Sequence, residues 1–132
     1  MSGHDALIHC AFAHAPGRYR GGEGDDPGGF LRLNRDGTRR LFDAAVRDGT
    51  GRIVFLSSRA VHDGYPAGAK LADDLPPRPA NLYGQVKADA EAYLAQLPVR
   101  GTSIAQRASM ACPASGATCS ATIWRVARSR PG

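Results

Sequence analysis

Cysteine, long apolar runs and acidic residues near the carboxyl end are scarce in this 132-residue chain. Three cysteines, an odd number, do not make a disulfide framework, and the His and Cys spacings suit no metal site. No apolar run approaches the roughly twenty residues of a membrane span, and no charged-then-apolar leader precedes the first apolar segment. We therefore expect neither a metal nor a membrane span, and a cytoplasmic location by default.

The positive charge is confined to one end of the chain. The net charge is +5, yet residues 1–97 hold 12 Lys and Arg against 12 Asp and Glu. The remaining 35 residues hold five arginines and no acidic residue. This abrupt shift predicts a boundary between a domain over 1–104 and a basic, non-matching tail over 105–132. The tail has no RNA-binding signature, so nucleic acid is not the expected partner.

Apolar periodicity predicts an α/β fold in which strands and helices alternate. Apolar residues that recur at three- and four-residue steps form one stripe and indicate a helix, which Gly49 ends. The residues of this stripe are Phe30, Leu33, Gly37, Leu41, Ala44 and Ala45. The strand and helix order implies parallel strands. The predicted elements are strands at 5–12, 52–57 and 102–106, helices at 28–48 and 81–97, and a long Pro- and Gly-rich loop at 59–80.

A Tyr and a Lys four residues apart open the second predicted helix. Tyr83 and Lys87 lie on one helix face, where the Lys87 ammonium would favour ionisation of the Tyr83 phenol and make it a usable general base. Hydroxyls of Ser57 and Ser58 fall at the carboxyl end of a predicted buried strand, where open α/β sheets place their ligands. These separate signals predict one proton-transfer site.

With these residues in hand, the chain resembles the NAD-dependent epimerase/dehydratase family of the extended short-chain dehydrogenase/reductase superfamily. The resemblance covers about residues 5–104. It is carried by these segments, in order: Asp5 to Ala11; Asn34, Gly37-Thr38, Leu41 and Ala44-Ala45; Gly51 to Ser58 with Val61; Asp74, Pro76-Pro77 and Pro79; and Tyr83-Gly84-Gln85-Val86-Lys87 with Glu91.

The resemblance implies an NAD- or NADP-dependent enzyme with a Rossmann fold. Ser58 would bond the substrate oxygen, with Ser57 as the neighbouring alternative, Tyr83 would transfer the proton, and Lys87 would hold the nicotinamide ribose. The segment from His9 to Ala11 would pass beside the cofactor. The implied substrate is a small molecule such as a nucleotide sugar, and the cofactor carries the redox chemistry.

The glycine-rich turn that binds pyrophosphate in this family has no counterpart here. The glycine cluster at 21–29 does not follow a strand directly and is interrupted by acidic residues, which predicts a surface loop. The first strand matches the family's fourth, so we expect a partial Rossmann fold without the leading βαβ unit. We therefore expect the chain alone to be inactive and to associate through an exposed sheet edge.

Two alternatives remain open at the sequence level. The tail could be the product of a shifted reading frame, which sequencing of the encoding DNA would test. The chain could also be a non-catalytic remnant that binds a partner or, through its basic tail, nucleic acid.

Other residues have plainer interpretations. His9 is read as a packed, hydrogen-bonded strand residue, Cys10 as a buried small apolar residue, and Asn34 as a structural residue that must be hydrogen-bonded because it faces inward.

Overall fold

Strands and helices alternate along most of the chain, in a computed structural model that describes residues 4–15, 22–69, 75–106 and 123–126. The elements are, in order, β1 (Ala6–His9), α1 (Pro27–Leu31), a π-helical segment (Arg32–Asp36), α2 (Gly37–Arg47), β2 (Arg52–Ser58), a 3₁₀ segment (Arg59–His62), α3 (Leu82–Leu94), β3 (Arg100–Gln106) and β4 (Ile123–Val126).

The four strands form one sheet in the order β1-β2-β3-β4. β1 pairs with β2, and β2 with β3, in parallel, while β4 pairs with β3 in the antiparallel sense. The predicted α/β class with parallel strands is therefore confirmed. β4 was not predicted, and residues 107–122 and 127–132 of the tail lie outside the described residues, so the division at residue 104 stays a prediction.

The hydrophobic core lies on one face of this sheet. Side chains alternate between the two faces of a strand, and β2 turns Ile53, Phe55 and Ser57 toward α2 and α3. The core cluster consists of Phe42, Ala45, Ile53, Phe55, Ala90 and Leu94. Both helices thus cover the same face, and the elements of the site are built on it.

The opposite face of the sheet carries apolar residues without a helix over them among the described residues. Ile8 is 69% exposed, and its register partner Val54 is half-buried. Leu56 and Ile104, which face each other across β2 and β3, are also half-buried. The part of the chain that the structure describes contains no helix long and apolar enough to cross a membrane.

The helical run from α1 to α2 contains a π-helical segment that shifts its buried face. The first four buried residues of this run follow one another at four-residue steps, and the last step, inside α2, is three residues; a π-helical turn contains more residues than an α-helical one. Leu33 is 67% exposed, so its predicted place in the apolar stripe is wrong. The buried residues of this run are Phe30, Asn34, Thr38, Phe42 and Ala45.

Turn chemistry sets the element ends close to the predicted positions. Gly49 adopts φ 81°, the left-handed conformation that ends the run at Arg47. Asn81 caps α3 by accepting a 2.8 Å hydrogen bond from the Gly84 amide. The predicted loop at 59–80 contains the 3₁₀ segment, which the sequence analysis missed.

Candidate functional site

The amino end of α3 is fixed against the chain that leaves β2. The backbone of Gly84 approaches the Ala60 carbonyl so closely that a Cβ at position 84 would overlap it. Ala60 belongs to the 3₁₀ segment that follows Ser58 directly. The close approach of these backbones therefore holds the turn that carries Tyr83 and Lys87 beside the carboxyl end of β2.

Lys87 is buried at this junction. Only 4% of the residue is exposed, and Nζ donates a 2.8 Å hydrogen bond to the Leu56 carbonyl oxygen. Burial lowers the pKa of Lys87 to about 8, although Cys10 and Glu91 act in the raising direction. An amine with this pKa exchanges its proton near neutral pH, which is the range where acid–base chemistry operates.

Three aromatic rings surround the Lys87 ammonium. Nζ lies 4.6 Å from the ring centroid of Phe12, 4.7 Å from that of Phe55 and 5.9 Å from that of Tyr83. The Phe12 and Tyr83 rings meet edge to face, with centroids 5.0 Å apart. The structure therefore brings Tyr83 and Lys87 together, as the four-residue spacing predicts. It also places the rings of Phe12 and Phe55 beside the Lys87 ammonium.

The two serines have different surroundings, as strand alternation requires. Ser57 is buried beside the Glu91 carboxyl, and no hydrogen bond of standard geometry satisfies its hydroxyl. Burial raises the pKa of Glu91, and Ser57 lowers it by a smaller amount. Ser58 is half-buried, and its hydroxyl accepts a 3.2 Å hydrogen bond from the Ala60 amide. The choice of Ser58 as the substrate-binding hydroxyl stays a prediction.

His9 occupies the core rather than an open pocket. Its Nε2 lies 3.0 Å from the Thr38 hydroxyl oxygen, and its ring stacks on Phe55 and meets the edge of Phe42. Burial and the Lys87 charge lower the pKa of His9. The interpretation of His9 as a packed, hydrogen-bonded residue is therefore correct, and its proximity to a cofactor stays a prediction.

The loop after β1 is clamped by Asn34. Its amide donates to the Ala13 carbonyl at 2.7 Å and to the Phe30 carbonyl at 3.1 Å, and its Oδ1 accepts from the Ala13 amide at 2.8 Å. Asn34 is therefore a structural residue with its polar atoms satisfied. Ala11, in the same loop, is exposed, and so is Cys10. The prediction of a buried Cys10 is wrong, because β1 ends at His9 and Cys10 lies in the exposed loop that follows it.

The residues predicted for the two ends of a dinucleotide differ in their surroundings. The predicted contacts of Lys87 with a ribose and of Tyr83 with a reacting oxygen stay predictions. The glycine-rich segment does not suit pyrophosphate, because the Asp26 carboxylate already accepts a 2.8 Å hydrogen bond from the Gly29 amide at the start of α1. A second anion at that position would meet like charge. Gly21 and Asp74 lie outside the described residues.

Sequence reasoning missed Phe12 as a member of this site. The strand predicted over 5–12 ends at His9, so Phe12 lies in the loop after β1, and only its tertiary contacts reveal its place in the site. Glu91 entered the sequence analysis only as part of a resemblance, and the structure adds its contact with Ser57. Among the described residues, no three His, Cys, Asp or Glu side chains are grouped as metal ligands would be.

Comparison with known proteins assigns the chain to a family. The sequence profile of the NAD dependent epimerase/dehydratase family matches residues 1–102. A dTDP-glucose 4,6-dehydratase from Streptomyces niveus is 34% identical over 88 residues, which are 67% of this chain and 25% of that protein. The chain thus spans about a quarter of the length of this curated relative.

Solved structures agree with this assignment. The UDP-glucose 4-epimerase from Brucella ovis in complex with NAD is 31% identical to this chain, with a TM-score of 0.63. The match covers 75% of this chain and 30% of the epimerase chain. RMD from Pseudomonas aeruginosa complexed with NADPH is 27% identical with a TM-score of 0.62, covering 75% of this chain and 34% of its own. The predicted partial Rossmann fold and the predicted cofactor class of the family, NAD or NADP, are confirmed. The chain belongs to the NAD-dependent epimerase/dehydratase family.

Proposed function

We propose that this chain supplies the proton-transfer residues of an NAD- or NADP-dependent epimerase, dehydratase or dehydrogenase site. The observation that carries the proposal is the position of Lys87, which is enclosed beside Tyr83 and hydrogen-bonded to the end of β2. Ser58 lies two residues along from Leu56, the residue that anchors Lys87. This closeness along the chain supports one site that includes all three candidate catalytic residues.

The roles follow from the chemistry of the side chains. Ser58 donates a hydrogen bond to the substrate oxygen, and Tyr83 takes or returns the proton of that oxygen. Lys87 holds the nicotinamide ribose beside Tyr83. The nicotinamide, when bound, supplies or accepts the hydride. His9 and Ala11 belong to the strand and loop that we expect to pass beside the cofactor.

The proposed substrate class is a nucleotide sugar. This proposal rests on the names of the relatives, because the dehydratase acts on dTDP-glucose and the epimerase on UDP-glucose. The proposed proton transfer at the substrate oxygen applies alike to epimerisation, dehydration and simple oxidation.

These 132 residues alone are proposed to have no measurable turnover. Catalysis requires reactants held in a defined geometry. The candidate proton-transfer groups are present, but the glycine-rich segment at the start of α1 is capped by Asp26 and offers no pyrophosphate site. A test with NAD and UDP-glucose or dTDP-glucose should give no nicotinamide absorbance change, and steady turnover would contradict this proposal.

A titration that monitors the two lysines separately tests the site itself. The sequence contains only Lys70 and Lys87, so ε-¹³C-lysine labelling gives two resonances. Millimolar NAD should shift the Lys87 signal and leave that of Lys70 in place. AMP, which lacks the nicotinamide ribose, is the matched ligand control and should shift neither. A Lys87 signal that is unmoved by NAD, or moved equally by AMP, would exclude the proposed cofactor role.

A further inference from the structure

Phe12 is the only ring in the Lys87 enclosure that comes from an exposed loop rather than from β2 or α3. It lies over the ammonium at 4.6 Å and against the Tyr83 ring at 5.0 Å. Phe12 therefore contacts both members of the candidate proton-transfer pair. Among the described residues, no other aromatic ring packs against both.

Contacts with the helical run that contains Phe30 and Asn34 fix the position of Phe12. Its ring meets the Phe30 ring edge to face at 5.6 Å, and the next residue, Ala13, is held by both hydrogen bonds of the Asn34 clamp. Asn34 lies in the π-helical segment, which turns it inward. The loop after β1 is thus tied to the helical run at the point that places the Phe12 ring over Lys87.

We propose that Phe12 is a positioning residue that closes the enclosure of Lys87 and so controls the protonation of that amine. The inference deepens the proposed function and rests on it for its catalytic meaning, but the enclosure itself stands on the contacts above. The rings of Phe12 and Phe55 both lie within 4.7 Å of Nζ, measured to their centroids, and Nζ donates a hydrogen bond to the Leu56 carbonyl. Removal of the Phe12 ring would open one wall to water.

Charged and titratable neighbours face Lys87 from each packed element. Cys10 acts from the loop after β1, His9 from β1, Glu91 from α3 and Tyr83 from the first turn of α3. Cys10 and Glu91 act to raise the Lys87 pKa, whereas burial lowers it by more. Burial therefore decides the protonation of Lys87, and Phe12 is the part of that burial that one substitution can remove without changing β2 or α3.

The test is a pH titration of the Lys87 ε-¹³C resonance in the full chain without ligand. In Phe12→Ala the Lys87 titration midpoint should rise by at least about one pH unit, toward its ordinary value, because the amine regains water. Phe12→Leu keeps an apolar wall and should shift it less than Phe12→Ala. Tyr93→Phe is the control, because Tyr93 is an aromatic residue of α3, the helix of Lys87, and lies outside the enclosure. It should leave the Lys87 midpoint within about 0.3 pH units of its value in the unchanged chain.

A Phe12→Ala midpoint equal to that of the unchanged chain would overturn the inference. If Phe12→Ala does not fold, the unchanged chain still decides the matter: cross-relaxation between the Lys87 ε-protons and the Phe12 ring protons is expected, and its absence would equally overturn the inference. This test uses no dinucleotide, so it can fail while the NAD-induced shift of Lys87 is observed, and the reverse. The two proposals are therefore separable.

Discussion

The two faces of the sheet differ in how completely they are packed. On the covered face α2 and α3 bury Phe42 and Ile53 completely, and the same face includes the enclosed Lys87. On the other face Ile8 is largely exposed, although its neighbours across the strands are also apolar. Parallel sheets are normally covered on both faces by helices.

This difference shows which face of the sheet can hold candidate catalytic side chains in place. Side chains of a packed face are fixed by their neighbours, so a candidate catalytic amine can be held out of water there. Among the described residues, no helix supports the other face, and its apolar surface favours association. We therefore expect substitutions on the two faces to act on different properties.

The largest expected effect is loss of core packing on the covered face. Phe42→Ala should lower the free energy of unfolding by about 3–5 kcal/mol, because it leaves a cavity between α2 and β2. Urea denaturation followed by circular dichroism measures this. Ile8→Ser removes an exposed apolar side chain from the other face and should cost less than about 1 kcal/mol. Equal losses would show that the two faces are packed alike.

A second expected effect is a rise in stability with pH that depends on Lys87. Burial lowers the pKa of Lys87 from 10.5 to about 8, so between these values the unfolded chain binds more protons than the folded chain. Stability should therefore rise across this window by up to about 3 kcal/mol from this group. Lys87→Met, measured by urea denaturation at a series of pH values, should lack that rise. If stability still rises with pH in Lys87→Met, groups other than Lys87 cause the rise.

A third effect tests the close approach that sets Tyr83 beside β2. Gly84→Ala should destabilise the chain by about 2 kcal/mol, because the added methyl group overlaps the Ala60 carbonyl and separates α3 from the 3₁₀ segment. Gly37→Ala is the matched control, since its added carbon would lie 3.7 Å from the Arg32 carbonyl oxygen, an ordinary contact. Alanine is also favoured within helices. Urea denaturation should separate the two variants, and equal stabilities would argue against the tight junction.

The smallest expected effect on stability, and a clear one on association, concerns the uncovered face. We predict self-association of the chain, because β1 has an unpaired outer edge among the described strands and carries exposed Ile8. Ile8→Lys should shift sedimentation toward the monomer, with a change in unfolding free energy below about 0.5 kcal/mol. Leu33→Lys, an exposed apolar position on the helical run, is the control and should change association less. A compact monomer for the unchanged chain would contradict this prediction.

Much of the fold was predictable because it depends on local signals. The apolar run that forms β2, the left-handed Gly49 and the capping Asn81 each act within a few residues, and their elements lie near the predicted positions. The pairing of Tyr83 with Lys87 was predictable for the same reason, since helix geometry alone brings them together.

What the sequence did not reveal depends on tertiary contacts. The π-helical segment changes the phase of the helix, so Leu33 faces outward against its periodicity. The strand predicted over residues 5–12 ends at His9, so Cys10 lies in an exposed loop. Phe12 reaches Lys87 only because Asn34 clamps a distant loop.

Calorimetric titration of the chain with NAD tests the central claim. The claim is that these residues form the proton-transfer end of a dinucleotide site and do not form a pyrophosphate-binding site. We predict a dissociation constant in the millimolar range, corresponding to only about 4 kcal/mol of binding free energy, and weaker binding still for Lys87→Ala. A micromolar dissociation constant, or an affinity that Lys87→Ala leaves unchanged, would contradict the account.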